Sequence, residues 1–245
     1  MTNPPQAGEH IVRSFDEELA RLTREIQFMG DLALGQLDAA IDAVIGRDST
    51  AAEQVVRGDT TIDQLEQKIS QDVLRVLALR QPIARDLREV LTALRVATDI
   101  ERIGDYAANI AKRSIIVSQE TMVKPVHGLA RLASFAKEMV RDVLTAYSRQ
   151  DADHALIVWA RDEELDGMYT SLFRELLTYM MEDPRNITAS THLLFMAKNI
   201  ERIGDHATNI AENVYFLVRG APLAQERRKG DRSLSPANES DAASP

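Results

Sequence analysis

The stretch ATDIERIGDYAANIA at residues 97–111 recurs as AKNIERIGDHATNIA at residues 197–211, with 11 of 15 positions identical and an offset of 100 residues. Upstream of each copy lies a second shared pattern, Asp59-x-x-x-Asp63 in one case and Asp162-x-x-x-Asp166 in the other, at an offset of 103 residues. Two patterns that repeat in the same order indicate an internal duplication. The chain therefore contains two copies of one structural unit.

Apolar residues recur at spacings of three and four through most of the chain, which is the period of an amphipathic helix. The pattern predicts six helices, at about 14–46, 48–80, 82–118, 126–149, 151–181 and 188–218. The capping-box pattern Ser14-x-x-Glu17 predicts the start of the first helix. Strand-type alternation is not sustained anywhere in the sequence, so we expect an all-helical protein.

Long helices with short connections pack against one another in antiparallel fashion. A duplicated unit of three such helices predicts an all-α fold of two tandem three-helix bundles. We expect an N-terminal arm at 1–13, a first bundle at 14–120, a second bundle at 121–218 and a C-terminal tail at 219–245. The tail has no apolar period, so it is expected to be disordered.

Composition excludes several classes of function. The 245 residues include 29 Lys and Arg against 38 Asp and Glu, a net charge of −9, which disfavours binding to nucleic acid phosphates. The absence of cysteine removes disulfides, thiolate metal sites and cysteine nucleophiles, and it fits a reducing compartment. No apolar run reaches the roughly 18 residues of a membrane span, and the N-terminus lacks a signal-peptide pattern. We expect a cytoplasmic protein with no nucleic acid partner and no membrane insertion.

Pairs of like charges recur on the predicted helices. Each pair is four residues apart, so its two carboxylates share one helix face and repel each other by a few tenths of a kcal/mol. No cation lies three or four residues from Glu101, so we expect its charge to have no local partner. The four pairs comprise eight residues: Asp59, Asp63, Glu101, Asp105, Asp162, Asp166, Glu201 and Asp205.

Oxygen ligands from two adjacent helices suit hard or borderline cations. The eight carboxylates therefore predict one metal site in each bundle, for iron, manganese, magnesium or, with fewer ligands, zinc. The alternative interpretation is a solvated acidic face that binds no ion. Glu201 and Asp205 lie more than 100° around the helix from its isoleucine stripe, so we expect any bound metal to be open to water.

Three further features have competing interpretations. Gly104 and Gly204 lie between paired carboxylates in mid-helix, either for close helix packing or for backbone room beside a metal. His206 replaces Tyr106 of the first copy, and we interpret it as structural or exposed rather than as a ligand. The series Arg85, Arg88, Arg95 and Arg102 is interpreted as a solvated, ion-paired face, with anion or acidic-partner binding as the alternative.

The sequence shows no catalytic apparatus. It has no glycine-rich phosphate-binding loop, no serine nucleophile elbow and none of the Glu-x-x-His patterns that a di-iron carboxylate enzyme requires. We therefore predict that the protein is not an enzyme. The residues leave open a regulator, a carboxylate-metal helical protein with a redox or metal-storage role, and a bare helical scaffold.

The sequence Ile-Glu-Arg-Ile-Gly-Asp at 100–105 and 200–205 resembles the signature of the PhoU family of bacterial phosphate-signalling regulators. The two Asp-x-x-x-Asp patterns and the opening HIVRSFDEEL at 10–19 also resemble that family, and the match covers about residues 8–218. The resemblance implies two three-helix bundles with metal clusters at the paired carboxylates, and a dimer. It further implies a cytoplasmic negative regulator that links the ATPase of the phosphate ABC transporter to a phosphate sensor histidine kinase.

Overall fold

A computed structural model describes residues 7–120 and 126–224, with side chains from residue 15 onwards. The described residues form seven α-helices and one short 3-10 helix, and they contain no strand. None of these helices is long and apolar enough to cross a membrane. The helices are α1 (Ala7–Gly46), α2 (Ser49–Arg80), α3 (Ala84–Val117), α4 (Val126–Arg149), α5 (Ala152–Ala160), α6 (Asp162–Glu182) and α7 (Ile187–Arg219), with the 3-10 helix at Pro184–Asn186.

The helices form two bundles, which confirms the predicted fold class. Helices α1, α2 and α3 pack against one another as the first bundle. In the second bundle, α4 and the consecutive helices α5 and α6 all pack against α7, and α4 also contacts α5 and α6. The two motif-bearing helices, α3 and α7, also pack side by side, so one continuous apolar core runs through both bundles.

The duplication extends to the first connection of each bundle. Arg47 (φ 54°) and Gln150 (φ 51°), which are 103 residues apart, both adopt the left-handed backbone conformation that ends one helix. The next residue in each case is an N-cap: Asp48 accepts from two backbone N–H groups of α2, and Asp151 accepts from two of α5. These caps satisfy donors that a helix start leaves without a partner.

The structure corrects two predicted helix boundaries. Helix α1 begins at Ala7 and not at Ser14, because no proline separates these residues and the nearest helix-stopping pair, Pro4 and Pro5, lies further upstream. The predicted helix at 151–181 is divided at Arg161, whose backbone N–H bonds to the Val158 carbonyl in a tightened turn. The first six residues of the predicted arm and the predicted disordered segment from residue 225 lie outside the described residues.

Candidate metal centre

The first bundle brings three of its four predicted carboxylates together. Asp59 and Asp63 come from α2, Asp105 comes from α3, and one oxygen of each lies within 4.8 Å of the others. Among the residues that the structure describes, no other group of three or more His, Asp or Glu side chains lies as close together as this one. Oxygen ligands that lie about 2.0–2.6 Å from one ion are within about 5 Å of one another. The arrangement therefore fits a bound cation.

The electrostatics of this cluster favour a cation. Burial raises the pKa of Asp59, a hydrogen bond from Gln36 opposes that effect, and the charges of Asp105 and Asp63 raise the pKa further. Burial also raises the pKa of Glu101, and the neighbouring Asp105 adds to the effect. Each carboxylate thus makes ionisation of the others less favourable, and a positive ion between them would remove that cost.

Glu101 has a local cation, contrary to the prediction from spacing. Arg102 lies 3.3 Å from Glu101 and 3.0 Å from Asp105, measured between guanidinium nitrogens and carboxylate oxygens. The prediction considered residues three and four positions away, whereas the long arginine side chain reaches its direct neighbour in sequence. Because Arg102 is half exposed, this ion pairing offsets the repulsion only weakly.

The second bundle differs from the first in burial. Helix α6 supplies Asp162 and Asp166 and α7 supplies Glu201 and Asp205, and the first three of these four residues are only 3% exposed. The expectation that a metal here would be open to water is therefore wrong for Glu201. Its helix face is turned away from the isoleucine stripe, but α6 packs beside it, since Leu165 of α6 lies against Gly204 and Asp162 of α6 accepts from Thr208.

This environment raises the pKa of the Glu201 carboxyl. Burial raises the pKa of Glu201, a hydrogen bond from Lys198 lowers it, and the charge of Asp205 raises it again. The Lys198 ammonium donates to one carboxylate oxygen, Oε1, at 2.9 Å. The other oxygen, Oε2, is buried and has no hydrogen-bond partner among the described residues. An orphaned buried carboxylate oxygen is a group that a bound cation would satisfy.

The glycines between the paired carboxylates serve close helix packing. A Cβ at Gly104 would lie 2.9 Å from the Ile62 Cδ1 atom of α2, and a Cβ at Gly204 would overlap Leu165 Cδ2 of α6. Side chains of the neighbouring helices therefore occupy the space. Of the two interpretations left open by the sequence, helix approach is the one that the structure supports.

Two polar residues that the sequence analysis missed hold the first aspartate of each motif. The Gln36 amide of α1 donates to Asp59 Oδ1 at 2.8 Å and to the Gly104 carbonyl at 3.2 Å. In the second bundle, the Thr208 hydroxyl lies 3.2 Å from Asp162 Oδ1 and 3.0 Å from the Gly204 carbonyl. Different residues from different helices thus bridge the same two groups in each bundle.

The remaining candidates belong to the interface between the bundles. His206 Nδ1 lies 2.8 Å from Asp99 Oδ1, and its ring is 5.7 Å from that of Tyr106, which confirms a structural role for this histidine. Arg88 donates to the Leu217 carbonyl at 3.5 Å and Arg95 donates to Asn213 at 3.3 Å. Part of the predicted solvated arginine series therefore links α3 to α7.

The fold and the site define a class: duplicated helical-bundle proteins in which two helices of each bundle present facing acidic motifs. The PhoU domain family matches residues 26–114 and 129–214, one segment for each bundle, and the chain belongs to this family. The sequence resemblance is thereby confirmed. Members of this family are accessory and regulatory proteins by name rather than enzymes, as the sequence predicted.

Named relatives are similar over nearly their full length. The phosphate-specific transport system accessory protein PhoU homolog of Xylella fastidiosa (strain 9a5c) is 56% identical over 224 residues, which are 91% of this chain and 94% of that protein. The homolog of the same name from Rhizobium meliloti is 48% identical over 223 residues, again 91% of this chain and 94% of that protein.

Two solved structures share the fold. The crystal structure of PhoU from Pseudomonas aeruginosa aligns with a TM-score of 0.81 and 40% identity, over 84% of this chain and 100% of that one. The phosphate transport system regulatory protein PhoU from Streptococcus pneumoniae aligns with a TM-score of 0.80 and 29% identity, over 86% of this chain and 100% of that one.

Proposed function

We propose that this protein is a metal-binding negative regulator of phosphate uptake and of phosphate-starvation signalling. The observation that carries the proposal is the convergence of Asp59, Asp63 and Asp105 within 4.8 Å, in a chain that belongs to the PhoU family. Relatives named as accessory proteins of phosphate-specific transport support the phosphate part of the proposal. The pneumococcal relative, which is named as a regulatory protein of phosphate transport, supports the regulatory part.

The proposed partners follow from the family resemblance. In this proposal the protein acts in the cytoplasm, as a dimer, between the phosphate transporter ATPase and the sensor histidine kinase. The carboxylates of the first cluster are half-buried and not sealed, so a cation held there would remain accessible from one side. When bound, iron, manganese, magnesium or zinc would supply positive charge and free ligand positions for an anionic group of a partner.

The metal part of the proposal is tested by elemental analysis of the purified protein before and after dialysis against each metal salt. We expect Asp59→Asn/Asp63→Asn/Asp105→Asn to lose metal relative to wild type. The matched control is Glu17→Gln/Asp42→Asn/Glu53→Gln, which removes three exposed charges of the same bundle and should leave the metal content unchanged. Equal metal content in wild type, the triple aspartate variant and the control would mean that the carboxylates form a solvated acidic face that binds no ion.

The regulatory part is tested in cells. We expect chromosomal replacement by the triple aspartate variant to derepress a phosphate-starvation reporter in high phosphate, while the control variant keeps repression. An immunoblot checks that both variants accumulate normally. Full repression by the metal-free variant would show that the metal is dispensable for signalling. Light scattering of the purified wild type tests the proposed dimer independently.

A further inference from the structure

A groove of about 890 Å³ lies between α3 and α7, apart from the carboxylate motifs. Its walls are residues 94–99 of α3 and residues 209–216 of α7, so the groove follows the joint between the two bundles. Pro222 and Leu223, which follow α7 in the chain, also line it. The chain therefore enters the groove just before the end of the described residues.

A glycine directs the chain into this groove. Gly220 ends α7 in the left-handed conformation, with φ 75°, and its N–H bonds to the Phe216 carbonyl at 2.9 Å. Arg88 of α3 donates to the Leu217 carbonyl, and its guanidinium would lie 3.5 Å from a Cβ added at Gly220. These contacts fix the direction in which the chain leaves α7, so the segment after Leu223 begins at the groove.

The α3 wall of the groove carries opposite charges one helical turn apart. Arg95 donates to Asn213 Oδ1 at 3.3 Å, and no carboxylate of the described residues forms an ion pair with it. Asp99 lies one turn further from Gly220, with its Oδ1 2.8 Å from His206 Nδ1. Counted from the point where the chain enters, this wall presents a guanidinium first and a carboxylate second.

The α7 wall adds a second carboxylate. Glu212 accepts from the indole N–H of Trp159 at 3.0 Å, and it belongs to no ion pair among the described residues. An uncharged donor leaves the negative charge of Glu212 in place. Carboxylates therefore outnumber guanidinium groups in the groove by two to one, and a complementary segment would bring one acidic side chain followed by basic ones.

The sequence that follows has this order of charges. Residues 225–232 read QERRKGDR, in which Glu226 comes first and three basic residues come directly after it. In an extended chain, Glu226 and Arg228 would lie on one side, about 6.6 Å apart. Arg95 and Asp99 are separated by about 6 Å along their helix. The two spacings match, so Glu226 can face Arg95 while Arg228 faces Asp99.

The segment is also long enough. The α7 wall at 209–216 extends over about 10 Å, because a helix rises about 1.5 Å per residue. Three or four extended residues cover that length. Residues 225–229 therefore reach the far end of the groove. Four basic and two acidic residues within 226–232 also draw this segment towards a chain whose net charge is −9.

We propose that residues 225–229 dock in the groove of their own chain and cover the joint between the two bundles. Glu226 then pairs with Arg95, and the basic residues that follow it pair with Asp99 and Glu212. Because the docked segment touches α3 and α7 together, it stabilises the packing of one bundle on the other. This inference is independent of the proposed metal-binding function.

The experiment uses the absence of cysteine from the natural chain. Full-length Asn209→Cys/Lys229→Cys, with one cysteine on the α7 wall and one in the segment, is oxidised with copper phenanthroline. The matched control is Asp153→Cys/Lys229→Cys, because Asp153 lies 2.8 Å from Arg219, near the start of the segment, but does not line the groove. We expect an intramolecular disulfide to form about tenfold faster with Asn209→Cys than in the control.

A second comparison tests the order of charges at constant composition. In the Asn209→Cys/Lys229→Cys background, Glu226→Arg/Arg228→Glu should slow disulfide formation about threefold, since both pairings become repulsive. The swap Arg232→Glu/Glu239→Arg, beyond the docked residues, should leave the rate unchanged. Circular dichroism melting confirms that each variant is folded.

Equal rates of disulfide formation at positions 209 and 153 would overturn the docking. Equal rates in the two charge swaps would overturn the recognition of the segment by charge. Disulfide-linked dimers, identified by mass under non-reducing conditions, would mean that the groove takes the segment of a second copy, and docking within one chain would be wrong.

Discussion

Gly104 and Gly204 occupy the same position in the two repeats, but their neighbours leave them different amounts of room. Alanine gains about 1 kcal/mol over glycine in a helix, and overpacking costs about 1–3 kcal/mol. At Gly104 the obstacle is the flexible end of Ile62, at 2.9 Å from the added Cβ, whereas at Gly204 the overlap with Leu165 is severe. We expect Gly104→Ala to be near neutral and Gly204→Ala to destabilise the protein by roughly 1 kcal/mol.

Urea unfolding of the apo proteins measures both changes. Gly58→Ala and Gly167→Ala are the controls, because an added Cβ meets no atom of the described residues within 4 Å at either position. Both controls should stabilise the protein, by up to about 1 kcal/mol. A Gly204→Ala variant as stable as Gly167→Ala would contradict the packing role assigned to this glycine.

Glu89 gives the stability of the fold a pH dependence that does not involve the candidate metal ligands. Burial raises its pKa, against the lowering effects of a hydrogen bond with Gln150 and the charge of Arg85. The folded protein therefore holds the Glu89 proton more tightly than the unfolded chain. Stability from this group is present below the ordinary carboxyl pKa and is lost as pH rises through the raised pKa.

We expect Glu89→Gln to be more stable than wild type near neutral pH, because the glutamine removes that loss. The difference in melting temperature should shrink as the pH falls through the raised pKa of Glu89 towards the ordinary carboxyl pKa. Asp42→Asn, which removes an exposed charge on α1, is the control and should not show the same convergence. If the difference in melting temperature between Glu89→Gln and wild type stayed constant from pH 4 to pH 8, Glu89 would not be the source of this pH dependence.

The sequence pointed to the candidate carboxylates, of which the structure gathers Asp59, Asp63 and Asp105, but it did not predict their surroundings. Repetition revealed the eight carboxylates, since the two motifs recur at fixed spacing. Gln36 was missed because it reaches Asp59 from another helix, across 23 residues of sequence, and no local pattern records that contact. The burial of Glu201 was missed because a helical wheel places a residue on a face but does not show which neighbour covers that face.

Helices α5 and α6 meet at Arg161, where no proline or glycine announces a break. Arg161 lies 2.9 Å from Asp142 and 3.1 Å from Glu138 of α4, and its guanidinium lies 4.5 Å from the centre of the Phe135 ring. These contacts between helices, rather than local propensity, coincide with the division of the predicted helix. Periodicity therefore predicted that this segment is helical but not that it is divided in two.

We expect Arg161→Ala to destabilise the protein by about 1 kcal/mol. The two partner carboxylates are well exposed, so each ion pair contributes little, and the contact with Phe135 adds about 0.5–1 kcal/mol. The shift in urea midpoint measures the loss. Arg185→Ala, which removes a highly exposed arginine paired with Asp183, should stay within about 0.5 kcal/mol of wild type. Equal losses of stability in Arg161→Ala and Arg185→Ala would show that the contacts of Arg161 with α4 do not stabilise the protein.

The two bundles meet mainly along α3 and α7, and contacts between α1 and α4 join them as well. Contacts of Arg88 with Leu217, of Arg95 with Asn213 and of Asp99 with His206 show that the two helices run antiparallel. The same two helices bear the signature motifs, so one face of each helix joins the bundles while another face carries the candidate metal ligands. The duplication predicted two bundles from sequence, but the polar contacts between them join residues that differ between the repeats.

Because one continuous core spans both bundles, we expect the apo protein to unfold as a single cooperative unit rather than bundle by bundle. Differential scanning calorimetry should give one transition with a calorimetric enthalpy equal to the van't Hoff enthalpy. His206→Ala removes the contact with Asp99 and the stacking on Tyr106, so it should lower the melting temperature of that one transition without splitting it. Two resolved transitions in the wild type would instead mean that 14–120 and 121–218 unfold as autonomous domains. The contacts between α3 and α7 would then be too weak to couple their unfolding.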